Sequence, residues 1–446
     1  MADNRFSFSQ DTLRNIAEDV LKHARKKGAS ACEVDVSEGF GQSVSVRRDE
    51  VDTIEYNRDK GIGVSIYDGQ KRGYASTSDF SKEALKATVE AAISIARFTA
   101  PDPAAGLPER EQLATEFPDF DLYHPWQIPV EAAIEIARKA EQAAFDLSPR
   151  ISNSDGASVS MQESHFVSAN SLGFMAGYAS SRHYISCSVI AGEGDDMQRD
   201  DWYSTKRDPA ELADPAEIGH YAARRALARL GARQIPTCEV PVLFEAPLAA
   251  SLIGSFVHSV SGGALYRKSS FLLDSLGKQV FAPHIQISER PFLPKGFASG
   301  AFDDDGVATR DREVIIDGVL QGYFLSTYSA RKLGMQTTGN AGGSHNLLVK
   351  PGEHNLEGLL RQMDRGLLVT ELLGHGVNYV TGDYSRGAAG FWVENGQIQY
   401  PVHEITIAGN LRDMFMGIRE IGNDVLVRGS KQCGSILLDK MTVAGA

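Results

Sequence analysis

Residues 381–411 read TGDYSRGAAGFWVENGQIQYPVHEITIAGNL. Apolar and polar residues alternate on either side of Asn395-Gly396, a dipeptide that favours a two-residue hairpin because both central positions take positive φ. The stretch therefore predicts a strand pair. A structural hairpin needs nothing more, yet Gly382, Gly387 and Gly390 surround the polar tetrad Asp383, Tyr384, Ser385 and Arg386. Glycine admits close backbone approach or positive φ. Two readings stand side by side: a tight structural corner, or an edge that receives a chain or ligand.

Outward from this hairpin, the region 236–446 is dominated by strand and turn segments. Strands are expected over 239–244, 313–316, 319–325, 367–373, 377–381, 390–393 and 397–402, with one helix over 247–260. Their number and spacing predict a β-rich domain, a sandwich or a barrel-like sheet. Residues 1–235 read differently. Leu13, Ile16, Ala17, Val20, Leu21 and Ala24 recur at helical steps, and Gly28 supplies a stop. Short strands follow at 44–46, 54–56 and 64–66, then an Asp68-Gly69 hairpin turn and a second helix over 81–98. Six prolines between Pro101 and Pro129 mark a linker or extended arm rather than a core element. Beyond it come a helix over 130–147, several strands, and a helix opened by Asp214-Pro215 that runs to about Leu230. The fold class is α+β: an N-terminal α/β layered region of helix–meander–helix units, split by the proline-rich arm 101–129, then the β-rich C-terminal domain.

The 446 residues carry 58 acidic and 45 basic side chains, a formal net charge of −13. That sign disfavours nucleic acid as a partner, and Arg25-Lys26-Lys27 and Arg224-Arg225 read as solvated helix faces. Cys32, Cys187, Cys238 and Cys433 stand far apart with no C-x-x-C spacing, which points to a reducing compartment. The start MADNRFSFSQ has no apolar signal region and no run reaches membrane-spanning length, so a cytoplasmic protein without membrane contact is expected.

Catalytic chemistry is hard to read from these residues. Among eleven histidines, no two have metallopeptidase helix spacing. His403-Glu404 lies on a strand pattern, where neighbours face opposite sides. His258 sits beside Ser255 and Ser259 on the 247–260 helix and reads as packing. His345 and His375 follow glycine turns and are free to approach Cys433, but no four-ligand zinc set is legible. Nucleophile-elbow and phosphate-loop signatures are absent, and Asp303-Asp304-Asp305-Gly306 lacks calcium-loop alternation and reads as a solvated turn. The catalytic residues stay unassigned.

Four long blocks carry a resemblance: ARFTAPDP (96–103), GGALYRKSSFLLDSLGK (262–278), TYSARKLGMQTTGNAGG (327–343) and the 381–411 hairpin. Through them the chain resembles the TldD/PmbA family of metallopeptidases nearly end to end, on its PmbA (TldE) side. The resemblance implies a protease subunit that works with a TldD-type sister chain on unfolded or leader peptides, in peptide-antibiotic maturation and antitoxin degradation. It implies zinc in the sister chain, held by a helical His-Glu-x-x-x-His and a cysteine. The matching helix here is SLIGSFVHSVSGGALYRK (251–268), which puts the histidine places at Gly254 and Ser259 and the glutamate place at Ser255. His258 is one residue out of register, about 100° around the helix. Cys433 stands where the cysteine ligand would be.

No metal is therefore expected in this chain. A heterodimer with the sister subunit is expected, with a homodimer possible in isolation. Tyr266, Arg267, Asp383, Tyr384, Ser385 and Arg386 are the candidates for lining a peptide path. The alternative is a non-enzymatic protein-binding modulator of DNA gyrase or of a toxin–antitoxin pair, a role an acidic surface would suit.

Overall fold

The computed structural model describes residues 5–445, so the first four residues of the N-terminal segment lie outside the described ones. Helix α1 (Gln10–Lys26) opens at Ser9, whose hydroxyl accepts the Thr12 N–H, and stops before Gly28 at φ 88°. Two long strands follow, β1 (Ala31–Arg47) and β2 (Glu50–Asp68), in place of the short strands expected at 44–46, 54–56 and 64–66. Their joint is Arg48-Asp49, both at positive φ (54° and 63°). Neither residue signals a turn strongly, and the charged run 55–60 interrupts alternation, so one strand reads as two. The Asp68-Gly69 turn leads to β3 (Lys71–Thr77), and α2 (Lys82–Phe98) starts from Ser81.

After the arm come α3 (Val130–Leu147), β4 (Ile151–Asn170), β5 (Met175–Ala176), β6 (Ala179–Ala191), β7 (Gln198–Lys206) and α4 (Pro215–Ala228). All seven strands form one antiparallel sheet, in the order β3-β2-β1-β4-β6-β7, with β5 on β4. The two helix–meander units thus share a single sheet. Period-two alternation puts Val34, Val36, Val44 and Val46 of β1 on one face. The first two pack under α1 and α2, the last two under the alanine-lined helices α3 and α4. The other face is small and polar, with Ser158 and Ser186 hydroxyls 2.8 Å apart.

The proline-rich arm is more than a linker. Its Leu113, Phe120 and Leu122 are buried against Phe174 and Phe302, sealing the polar face of the sheet to the C-terminal half. With one 3-10 turn at Arg110–Gln112, the arm satisfies its backbone elsewhere: Arg331 donates to the carbonyls of Ala104, Gly106 and Leu107.

The C-terminal half contains β8 (Cys238–Phe244), α5 (Ala246–Ser259), α6 (Gly262–Tyr266), β9 (Ile287–Glu289), β10 (Arg312–Ile316), β11 (Val319–Leu320), α7 (Thr327–Leu333), β12 (Leu347–Val349) and α8 (Leu356–Met363). It continues with β13 (Gly366–Leu373), β14 (Asp383–Glu394), β15 (Gln397–Asn410), α9 (Leu411–Met416), β16 (Ile418–Ile421), β17 (Lys431–Gln432) and β18 (Ile436–Ala444). The larger sheet runs β15-β14-β13-β8-β18-β16, and β15 also pairs with β18 through Thr406, Ile407 and Ala408. Five strands therefore close into a barrel, with β16 attached to β18. A second sheet has the order β11-β10-β9-β12-β17.

The strand expected over 377–381 is a turn, touching the sheet through a single Val377–Tyr384 bridge. Asn378 is the reason: its side chain takes the N–H groups of Val380 and Thr381 and bends the chain. Two other expectations also change. Arg225 is not on a solvated face, because it bonds Asp200 at 3.0 Å and Glu245 at 2.8 Å across the junction of the two halves. Asp303 is buried rather than solvated, accepting the backbone N–H groups of Asp305, Val307 and Ala341.

Candidate functional site

Helix α5 lies between β13 and β17, on the wall of the barrel. Its apolar residues Leu252, Ile253 and Phe256 bury against the C-terminal core, where Phe256 meets Phe281 at 5.0 Å between ring centroids. Ser255 and Ser259 are buried with them. At Gly254 there is no side chain, and Cε of Lys431 lies 3.8 Å from where a Cβ would stand. Ser255 donates its hydroxyl to the Ser251 carbonyl at 3.2 Å, and Ser259 donates to Ser255 at 2.8 Å. These are back-bonds to the helix's own carbonyls, so neither hydroxyl is presented outward.

Cys433 is 1% exposed, and burial pushes its thiol up to about 12. Burial lowers the pKa of the Lys431 amine, whose chain lies by Gly254. Two tied hydroxyls, an amine and a single cysteine, with no imidazole or carboxylate beside them, do not make the donor set of a zinc ion, which takes thiolates, imidazoles and carboxylates. Among the described residues, no group of three or more His, Cys, Asp and Glu side chains is placed to hold a metal. His345 does not approach Cys433: its ring nitrogens lie 3.2 Å from the Ala298 carbonyl and 2.9 Å from that of Gly339.

A polar cluster forms near the end of α5. The His258 ring packs 4.0 Å from that of Tyr379, and burial together with the Arg267 charge lowers its pKa. On β14, alternation divides the tetrad. Tyr384 points inward, 2% exposed, with a hydroxyl that has no partner among the described residues; burial pushes it up to about 12 against the pull of Arg386. Arg386 faces the same way, and its Nε is likewise unpartnered. Asp383 and Ser385 point out. Asp383 closes its own turn by accepting from the Thr381 hydroxyl at 2.6 Å and Asn410 Nδ2 at 3.2 Å, contacts that hold its carboxyl below the usual range. Ser385 is exposed, its N–H given to the Gly376 carbonyl.

The structure thus draws Arg267, Tyr384 and Arg386 toward His258 and Tyr379. Tyr266 joins this cluster through Arg267, which donates to its hydroxyl at 3.1 Å, and its ring lies 5.7 Å from that of Tyr328. Tyr379 escaped the sequence reading because it fell inside the run expected as the 377–381 strand, and Lys431 because it sits in no periodic run. His403 and Glu404 stay apart from the cluster: the His403 N–H goes to the Arg233 carbonyl, and Glu404, at φ 51°, accepts from Gln234.

Comparison with known proteins bears on this arrangement. The chain matches the PmbA/TldA metallopeptidase domain 1 over residues 32–96, the central domain over 123–230 and the C-terminal domain over 237–445. It is 47% identical over 438 residues to the metalloprotease PmbA of Escherichia coli O157:H7, covering 98% of this chain and 97% of the relative. Against the metalloprotease TldD homolog of Haemophilus influenzae identity falls to 23%, over 87% of this chain and 88% of the other. A Bacteroides thetaiotaomicron crystal structure, whose name links that protein to DNA-gyrase modulation, superposes with a TM-score of 0.93 at 27% identity, over 98% of this chain and 100% of that one.

Proposed function

Since the chain belongs to the PmbA/TldD metallopeptidase family, and to its PmbA side, we propose that it is the metal-free, PmbA/TldE-type subunit of a two-chain peptidase. The observation that carries this reading is the α5 donor set. In a metallopeptidase family, this chain has Gly254 next to Lys431, two self-bonded serines and a single buried cysteine. A TldD-type sister chain holds the zinc and supplies the activated water. This chain contributes shape and binding for an unfolded or leader peptide, as in peptide-antibiotic maturation or antitoxin degradation.

An extended peptide would be held by main-chain hydrogen bonds, which read no sequence. Arg267, Asp383 and Ser385 are exposed among the proposed contacts, and Tyr266 is half-buried. The complex works in the cytoplasm. Among the described residues, no helix is long and apolar enough to cross a membrane.

The test is to purify each chain alone and both together, then measure zinc content and cleavage of an unstructured peptide. Cleavage and zinc are expected only where the sister chain is present. Stoichiometric zinc on this chain alone, with chelator-sensitive cleavage, would overturn the assignment. A second reading, a non-enzymatic modulator of DNA gyrase, draws on the name of the Bacteroides protein and the net charge of −13. Affinity capture separates the two: a topoisomerase recovered without a TldD-type chain would favour the modulator.

A further inference from the structure

We propose that the solvent-facing strip of α5, flanked by Lys431, Arg267 and Arg386, seats a carboxylate of the bound peptide. The identity of the ligand rests on the peptide reading, and its charge on the side chains around the strip. Gly254 is half-buried and His258 exposed, one helical turn apart on the same face. Gly254 offers no side chain, and the stem of Lys431 takes that room, its Cε 3.8 Å from where a Cβ would stand. At the other end the His258 ring lies 4.0 Å from that of Tyr379, within reach of the Arg267 charge. Arg386 follows, close to Tyr384, which in turn neighbours Tyr379. A lysine thus closes one end of the strip and two arginines the other.

None of the three cations is answered by an acid. At the core of the molecule Arg225 pairs with Glu245 at 2.8 Å and Arg312 with Glu289 at 2.6 Å, whereas Lys431, Arg267 and Arg386 form no ion pair among the described residues. Arg267 donates to the Tyr266 hydroxyl at 3.1 Å; Lys431 and Arg386, both half-buried, make no side-chain hydrogen bond there. Of the Arg386 nitrogens only Nε is enclosed, so its two Nη groups stay open to a ligand, as does Nζ of Lys431. The carboxylates on neighbouring segments are already engaged. Asp383 faces the other side of β14, with Oδ2 taken by the Thr381 hydroxyl and Oδ1 by Asn410. Asp424 bonds Ser435 through both of its oxygens.

A half-buried cation without a counter-charge has lost part of its hydration and gained nothing in return, so charges in such places are normally paired. Burial lowers the Lys431 amine, and no acid offsets it. In a chain of net charge −13, three unanswered cations beside one helix face leave donors for an anion. A cationic ligand would be repelled, and an apolar one would leave the donors unpaired. A carboxylate accepts on two oxygens, and its bonds from ammonium and guanidinium are charge-assisted. The free C-terminus of the peptide, or an acidic side chain within it, supplies the group.

The experiment is calorimetric titration of the full chain with N-acetyl-tetraalanine as the free acid, the same peptide as its amide, and an amidated N-acetyl tetrapeptide with one internal glutamate. The free acid is expected to saturate one site, with the alanine amide at least tenfold weaker. A glutamyl peptide that matches the acid assigns the seat to any carboxylate; one that matches the amide assigns it to the C-terminus. Lys431→Met keeps the stem over Gly254 and removes the charge. It should weaken the acid by tenfold or more while leaving Tm unchanged or higher, because an uncompensated charge is lost. Arg386→Gln and Arg267→Gln should each weaken it severalfold. No saturation by the acid, equal binding of the alanine amide or of inorganic phosphate, or wild-type affinity in all three variants would overturn the proposal. No sister chain or cleavage enters this assay. A complex that cleaves peptides while the chain does not tell acid from amide would sink the carboxylate seat alone. Carboxylate binding by a chain that never pairs would sink the subunit reading alone.

Discussion

Asp303 accepts three backbone N–H groups, at 3.0 Å from Asp305, 2.9 Å from Val307 and 2.9 Å from Ala341, and so pins the 303–307 turn to the 341 loop. Those donors favour its ionised form, but burial and the neighbouring Asp305 charge outweigh them and push the carboxyl from 3.8 to about 7. A folded-state value above the unfolded one means the folded chain holds the proton more tightly. The associated stability is complete below the ordinary carboxylate range and is lost as pH rises through about 7. Urea midpoints should fall between pH 4 and pH 8, and Asp303→Asn should flatten that slope. At α5 the residue identities were legible in the sequence, including the glycine and two serines at the places where the family resemblance puts metal ligands. Where the serine hydroxyls go, and how deeply Cys433 lies, needed coordinates. Dialysis against a chelator should leave the Tm of the isolated chain unchanged.

Within the elements, the β14–β15 hairpin was the most readable part. Asn395 and Gly396 take φ 54° and 69° as that dipeptide predicts, and alternation alone puts Asp383 and Ser385 on the opposite face from Tyr384 and Arg386. Gly390 has a packing role: a Cβ there would overlap the Leu368 carbonyl oxygen of β13. Backbone cannot step aside as a flexible side chain can. Gly390→Ala should therefore destabilise by about 1–3 kcal/mol, read as a lower urea midpoint. Elements were misread where turn chemistry was atypical. Arg48-Asp49 turns the chain without glycine or asparagine, and Asn378 converts an apparently strand-like run into a turn.

Across the whole molecule, the two halves are locked by a buried ionic network. Arg225 joins Asp200 of β7 to Glu245 before α5, Arg229 joins Asp200 to Glu371 of β13, and Arg428 stacks 3.8 Å from the ring centroids of both Trp202 and Tyr203. Arg225→Ala strands the Glu245 carboxylate out of water, while Asp200 keeps Arg229, and should cost about 3–5 kcal/mol. Because the loss falls on the junction, calorimetry should show one unfolding transition splitting into two. The α+β class, the long helices and the Asn395-Gly396 hairpin followed from the sequence by itself, since periodicity and turn chemistry act between residues a few positions apart. Only the tertiary structure decided that two units share one sheet, that β15 meets β18 to close a barrel, and that Leu113, Phe120 and Leu122 of the proline-rich arm are buried. Alternation says which side of a strand is apolar, but not which distant segment will cover it.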